Sequence, residues 1–207
     1  MAIIVKDEKK EYPKASEGQH LAVCVDVVGP WEAVDDFDKD KPYPIRKIAY
    51  VFQLDESRQD GKPFEVAREF SLTFGQKANL RKFLSGWRGK AITDDEAKAG
   101  VDIDYTGKPA YLTIEHKAKR AGGTRVEVAS VMPPPKQLPP ITPQPYTRAE
   151  YWKKRADEDQ AKSRALAEKM SMVRAAEARN AADFSEPPAG LDTGNDDLPF
   201  SPGILWP

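Results

Sequence analysis

Three groups of side chains in this chain have the types and spacing to do chemistry. The first is acidic: Asp94, Asp95, Glu96, Asp102 and Asp104 crowd one short span. Such carboxylates would serve metal-dependent cleavage of a nucleic acid, although acidic residues at a helix start and in the loop after it have a simpler role there. The second group is the scarce nucleophiles and bases. His20, His116 and Cys24 are the only residues of their kinds, and each sits inside a strand-like run. No phosphate-cradling glycine loop or zinc-ligand spacing accompanies them. Cys24 reads as a small buried hydrophobe. No catalytic residue, metal or cofactor is therefore assigned.

The third group is cationic and aromatic, and its chemistry is non-covalent. Basic side chains hold the phosphates of a single strand while aromatic faces stack its bases, each stack contributing about 1–3 kcal/mol. The cations are Arg46, Lys47, Arg68, Lys77, Arg81, Lys82 and Arg88, with Lys117, Lys119 and Arg120 further on. The aromatics are Trp31, Tyr50, Phe52, Phe70, Phe74 and Tyr111. Tyr50 and Phe52 share parity with Ile48 and Leu54, and Phe70 shares it with Val66 and Leu72, which favours the core for all three. Tyr111 has the opposite parity to Leu112 and Ile114, and Trp31 falls in a polar connection, so these two are the better surface platforms. Lys77, Arg81 and Arg88 lie close to one helical stripe, and Gly75 to Lys90 contains no acidic residue.

The elements that must position these groups follow from periodicity. Leu21, Val23, Val25 and Val27 alternate in a first strand, His20 to Val28, which Gly29-Pro30 stops. Trp31 to Pro44 is a long connection, and Ile45 to Leu54 is the second strand. Phe64, Val66, Phe70 and Leu72 mark the third, interrupted by Arg68, where a bulge would shift the register. Ala78, Leu80, Phe83, Leu84 and Trp87 recur at helical spacing, with Trp87 packing the helix onto the strands. Thr93 and Glu96 make a capping box for a second short helix. Strands over 109–116 and 124–132, joined at Ala121-Gly122-Gly123, complete the set, with Ile3 to Val5 a further edge strand. The fold class is mainly β: a five-stranded OB-fold-like barrel with a helix between strands three and four.

Domain boundaries fall at composition shifts. Residues 1–132 form the barrel domain, 133–146 a Pro-rich extended linker, 147–182 a long charged helix, and 183–207 a disordered acidic tail. Thr147 and Glu150 suggest a cap for the long helix. Its stripe of Trp152, Ala156, Leu166, Met170 and Val173 is interrupted by Asp159 and Ser163, which reads as a solvated or weakly pairing helix. Residues 1–135 carry 22 basic and 22 acidic side chains, whereas Asp183, Glu186, Asp192, Asp196 and Asp197 give the tail a charge of minus five. Apolar runs are too short for a membrane span and the N-terminus lacks a signal-peptide core, so a soluble, cytoplasmic protein is expected.

Gly194-Asn195-Asp196-Asp197-Leu198-Pro199-Phe200 resembles the acidic tip of bacterial single-stranded DNA-binding proteins. With GQKANLRKFLSGWRGK from Gly75 to Lys90, TDDEA after it, GKPAYLTIEH and the strand ending VMPPPK, residues 1–136 resemble phage-encoded single-stranded DNA-binding proteins of OB-fold type. The resemblance implies sequence-independent binding and protection of single strands during phage replication or recombination. It also implies that Asp196, Asp197, Leu198, Pro199 and Phe200 recruit replication or recombination proteins. Ser201 to Pro207 follow Phe200, a departure from tips that end on the phenylalanine. A tethered acidic tail also has the reach to compete with DNA for a basic groove. An adaptor whose barrel does not bind DNA is the alternative, favoured by the neutral domain charge. A nuclease using Asp94 to Asp104 is the third reading.

Overall fold

Alternating strands followed by amphipathic segments give, among the described residues, β1 (Gly18–Asp35), β2 (Tyr43–Ser57), β3 (Pro63–Ser71), α1 (Asn79–Arg88), α2 (Asp94–Ala99), β4 (Pro109–Ala118), β5 (Thr124–Met132) and α3 (Ala149–Asp183). The computed structural model describes residues 13–35, 41–119, 122–137, 139 and 141–183, with side chains up to Arg179. Ile3 to Val5, Phe37, Arg120, Ala121 and the tail after Asp183, including Asp196 to Phe200 and Ile204 to Trp206, lie outside these residues. Residues through Leu166 belong to one compact unit and those from Ala167 to a second.

The strands are antiparallel and form one sheet in the order β3-β2-β1-β4-β5. The sheet is not closed into a barrel. Arg68 on β3 donates from Nη1 to the carbonyls of Val128, at 2.5 Å, and Ala129, at 2.8 Å, on β5. A side chain, rather than a backbone ladder, thus joins the two edges. No bulge occurs at Arg68, since it pairs in register with Tyr50 between its neighbours. The break in hydrophobic alternation marks the residue that must reach across.

β1 runs further than its sequence suggests. Gly29-Pro30 does not stop the strand but shifts its register between Val28 and Trp31, after which pairing with β2 resumes to Asp35. A bulge of this kind adds residues to one strand while the ladder continues. Gly29 has a φ of 106° and lies so close to the Trp31 ring that a Cβ would come within 2.7 Å of it. Only glycine suits both demands.

Successive residues of β2 point to opposite faces. Ile48, Tyr50, Phe52 and Leu54 face the main core with Phe70, Leu80, Phe83, Leu84 and Trp87. Ring centroids among Tyr50, Phe52, Phe70, Phe83 and Trp87 lie 4.7–6.4 Å apart where they pair, for example 5.9 Å between Tyr50 and Phe83 and 5.2 Å between Phe52 and Trp87. Trp87 also donates from Nε1 to the Pro109 carbonyl at 2.8 Å, locking α1 to β4 as well as to β2. The helix ends at Gly89, in the left-handed region at φ 65°, whose N–H bonds back to Gly86. At Gly86 a Cβ would come within 2.8 Å of the Val131 carbonyl oxygen on β5, so α1 approaches β5 as closely as a backbone permits. Thr93 caps α2 in a full capping box with Glu96, as the spacing predicts.

The other face, lined by Ala49 and Val51 of β2 with Trp31 and Ala33 of β1, is covered by α3. The long helix is therefore not solvated throughout. Trp152, Asp159 and Ser163 are all buried, and the interruptions in its apolar stripe are part of the contact. Asp159 accepts the Trp31 indole N–H at 3.3 Å. The linker is drawn in too: Gln53 and Gln144 exchange two hydrogen bonds of 3.1 and 2.8 Å. The carboxylate of Glu65 accepts from the Thr147 amide and hydroxyl at 3.0–3.1 Å, so Thr147 spends its hydroxyl on the sheet.

Candidate nucleic-acid interface

The end of β3, the start of α1 and the end of β5 enclose two adjoining clefts that share Arg68 and Asn79. One, about 340 Å³, is walled by Glu69, Ser71, Thr73 and Lys77; the other, about 280 Å³, by Lys82, Phe83, Gly86 and Ser130. Three cations thus converge on one groove, with hydroxyls and an amide between them. α1 begins at its wall without a side-chain cap and without an acidic residue in its first turn. Uncapped N–H groups and the positive end of a helix favour an anion nearby.

The cations divide sharply by their partners. Lys77 and Lys82 are exposed and make no ion pair with a described residue. Arg46 on β2 is likewise exposed but does not line these clefts. Arg68 is half-buried over the Phe70 and Phe83 rings, at 5.1 and 5.5 Å, and burial pulls its guanidinium below its ordinary value. Its primary partners are the β5 carbonyls, leaving it a wall of the groove more than a mobile phosphate ligand.

Arg81 and Arg88 line neither of these clefts, although Arg81 borders a third, of about 360 Å³, with Lys82. Arg81 donates to the Ile92 carbonyl at 2.6 Å and pairs with Asp94 at 2.7 Å; Arg88 pairs with Glu96 at 3.0 Å. The segment from Gly75 to Lys90 contains no acid, yet α2 supplies one to each arginine across the turn. The Gln76 amide and then Arg81 hold the Asp94 carboxyl below its usual range; the Thr93 amide and then Arg88 do the same for Glu96. These carboxylates act as caps and ion-pair partners. Lys47 pairs with Glu69 at 3.6 Å, and Lys117 with Glu127 at 3.1 Å.

The aromatic platforms are fewer than the sequence suggests. Tyr50 and Phe52 are wholly buried, and the Tyr50 hydroxyl donates to the Ile103 carbonyl at 2.9 Å. Trp31 is a correction: it lies in β1, not in a loop, and is buried beneath α3 because its indole completes the apolar face there. Phe74 is half-buried against the core. Tyr111 is half-buried on β4, opposite Leu21 and Met132. Tyr43, at the start of β2, is exposed by 53% and its hydroxyl donates to Asp35 at 3.0 Å; parity did not single it out.

The histidines and cysteine have local partners. His20 and His116 donate from Nε2 to the carbonyls of Ser16, at 3.0 Å, and Ala15, at 2.7 Å, clasping the segment before β1. A carbonyl only accepts, so Nε2 carries a proton in both rings, and the His20 Nδ1 faces the Asp55 carboxylate at 3.3 Å. Ser16 Oγ lies 3.4 Å from the same His20 nitrogen and donates to Glu56 at 2.8 Å. Burial pushes the Cys24 thiol up to about 12.

Asn79, Thr73 and Ser130 complete the groove and carry no signal in the sequence beyond their neighbours' charges. No helix among the described residues is long and apolar enough to cross a membrane. No family model matches the chain, and neither a curated protein nor a solved structure matches it.

Proposed function

We propose that this protein binds single-stranded DNA without sequence preference, holding the strand's phosphates along the groove between β3, α1 and β5. The observation that carries the reading is the convergence of Lys77 and Lys82, both without a described carboxylate partner, on clefts walled by Arg68 and the uncapped start of α1. Cations already paired would have to exchange one carboxylate for a phosphate; these two gain a partner outright. The exposed rings of Tyr43 and the half-exposed Tyr111 offer stacking surfaces.

The strand order supports an OB-type barrel as the finer fold. With β1 central, β2 and β3 on one side and β4 and β5 on the other, the two sheet edges are those that an OB barrel brings together, and α1 lies between β3 and β4. On this reading the protein protects single strands during phage replication or recombination, and Asp196 to Phe200 recruit partner proteins. One observation favours the adaptor reading instead: the outer face of strands two and three, where OB folds commonly take oligonucleotides, is occupied by α3.

Fluorescence anisotropy with labelled oligo-dT and with a duplex of equal length, at two salt concentrations, tests the reading. Preferential single-strand binding that weakens with salt is expected. Lys77→Glu with Lys82→Glu should weaken it at least 10-fold and lower the salt slope by about 2, with the melting temperature unchanged. Binding that ignores these substitutions would remove the groove, and no binding at all would favour the adaptor.

A further inference from the structure

We propose that residues Thr147 to Ser163 form a strap that closes the outer face of β1–β2–β3 against single-stranded nucleic acid and lifts when the strand binds. The proposal rests on the single-strand reading above and supplies its regulation. The face beneath the strap is formed by Ala33, Ala49 and Val51, and Trp31 lies on it. In the closed form its indole N–H is held by Asp159 of the strap.

The strap is held by contacts suited to release. Its buried polar groups are weakly paired: Tyr146 Oη and Trp152 Nε1 face each other without a well-formed hydrogen bond, and Arg155 Nε stands 3.9 Å from Asp159. Buried groups so weakly paired favour the open form, in which water satisfies them. Carboxylates of β3 provide the remaining attraction, Glu65 to Thr147 and Arg148, and Glu69 to Arg155 at 3.5 Å.

Glu69 links this contact to the groove. It takes Arg155 from the strap and Lys47 from β2, and it lines the same cleft as Lys77. A strand whose phosphates enter the cleft places competing anions beside Glu69 and draws both cations from it. Gln144, just before the strap, keeps its two hydrogen bonds to Gln53, which make it the anchor from which the strap lifts. The same displacement would uncover Trp31 for stacking.

Hydrogen exchange on the intact protein, with and without saturating oligo-dT, is the deciding measurement, paired with oligo-dT affinities of Trp152→Ala and Asp159→Ala. Strand binding should speed amide exchange over residues 149–163 by at least 10-fold while α1 and the sheet stay protected. Each substitution should tighten oligo-dT binding about 3- to 10-fold. Exchange over 149–163 that is unchanged or slowed in the bound protein overturns the strap, whether or not the variants fold, and leaves single-strand binding standing. A wild-type chain that binds weakly beside variants that bind well supports a tightly closed strap. Failure of wild type and folded variants alike to bind oligo-dT overturns the single-strand reading, and the strap with it.

Discussion

Two helices cover the same sheet from opposite faces, and they are held by different physics. α1 brings Leu80, Phe83, Leu84 and Trp87 into a core already filled by Tyr50, Phe52 and Phe70, with ring pairs 4.7–6.4 Å apart. α3 brings a single tryptophan, an alanine and two polar residues onto Trp31, Ala33, Ala49 and Val51, and carboxylates add to its attachment. Aromatic burial is worth several kcal/mol and is indifferent to salt, whereas partly exposed ion pairs contribute about 0–1 kcal/mol each and are screened. α1 is thus part of the fold's foundation, and α3 is an addition to it.

The largest expected effect tests that division directly. Trp87→Ala should cost about 3–5 kcal/mol in urea unfolding, as truncation of a buried ring does, and should loosen the whole unit. Trp152→Ala should cost less than half as much, because the strap separates from the sheet and relieves the cavity. Equal losses would erase the distinction between the two helices.

Arg68→Ala comes next. It leaves the Val128 and Ala129 carbonyls without their donor and removes the bridge between the two sheet edges, an expected loss of about 1–3 kcal/mol. The accompanying observation should be faster amide exchange in β5, measured at neutral pH. If β5 keeps its protection, packing of α1 alone must hold the edges together.

Arg155→Ala sharpens the other side of the comparison. Its side chain is 39% exposed, so its bonds to Glu69 and Asp159 should contribute within about 1 kcal/mol, and less at high salt. A salt-independent effect on exchange in residues 149–163 would show that apolar contact, not charge, seats the strap.

The smallest effect at neutral pH belongs to Cys24. Burial raises its thiol to about 12, so the folded state disfavours the thiolate. Folding stability from this group is full below the unfolded thiol's value near pH 8.5 and is lost progressively as pH rises from there through about 12. A thiol reagent at pH 8 should react slowly with the native protein and rapidly in denaturant. Rapid native reaction would place Cys24 outside the core.

The contrast also explains what could be read from the chain. The alternation from Leu21 to Val27 and the helical spacing from Leu80 to Trp87 report contacts made by neighbours in sequence; the helix appears where expected, whereas the strand runs on to Asp35 and a register shift after Cys24 puts Ala22, Cys24 and Val27 against the main core. Trp31 and Asp159 were opaque because each owes its burial to the other across 128 residues. Charge pairing was opaque for a similar reason: Arg81 and Arg88 look unpaired within their own segment, and α2 lies beyond its end. The 4-3 spacing from Trp152 through Ala156, Asp159, Ser163, Leu166 and Met170 to Val173 was the available signal for α3, with the polar members disguising it. Parity alone placed Tyr50 and Phe52 in the core, and the clefts beside α1 depend on the approach of three separate elements.

That approach is set by Gly86, whose missing side chain lets α1 meet the Val131 carbonyl. The atom it meets belongs to the main chain, so no replacement at position 131 can make room for a larger residue at 86. Second-site suppressors of a Gly86→Ala lesion must therefore arise among residues that seat the whole helix, such as Phe83 or Trp87, and a selection for them would map the width of the groove genetically.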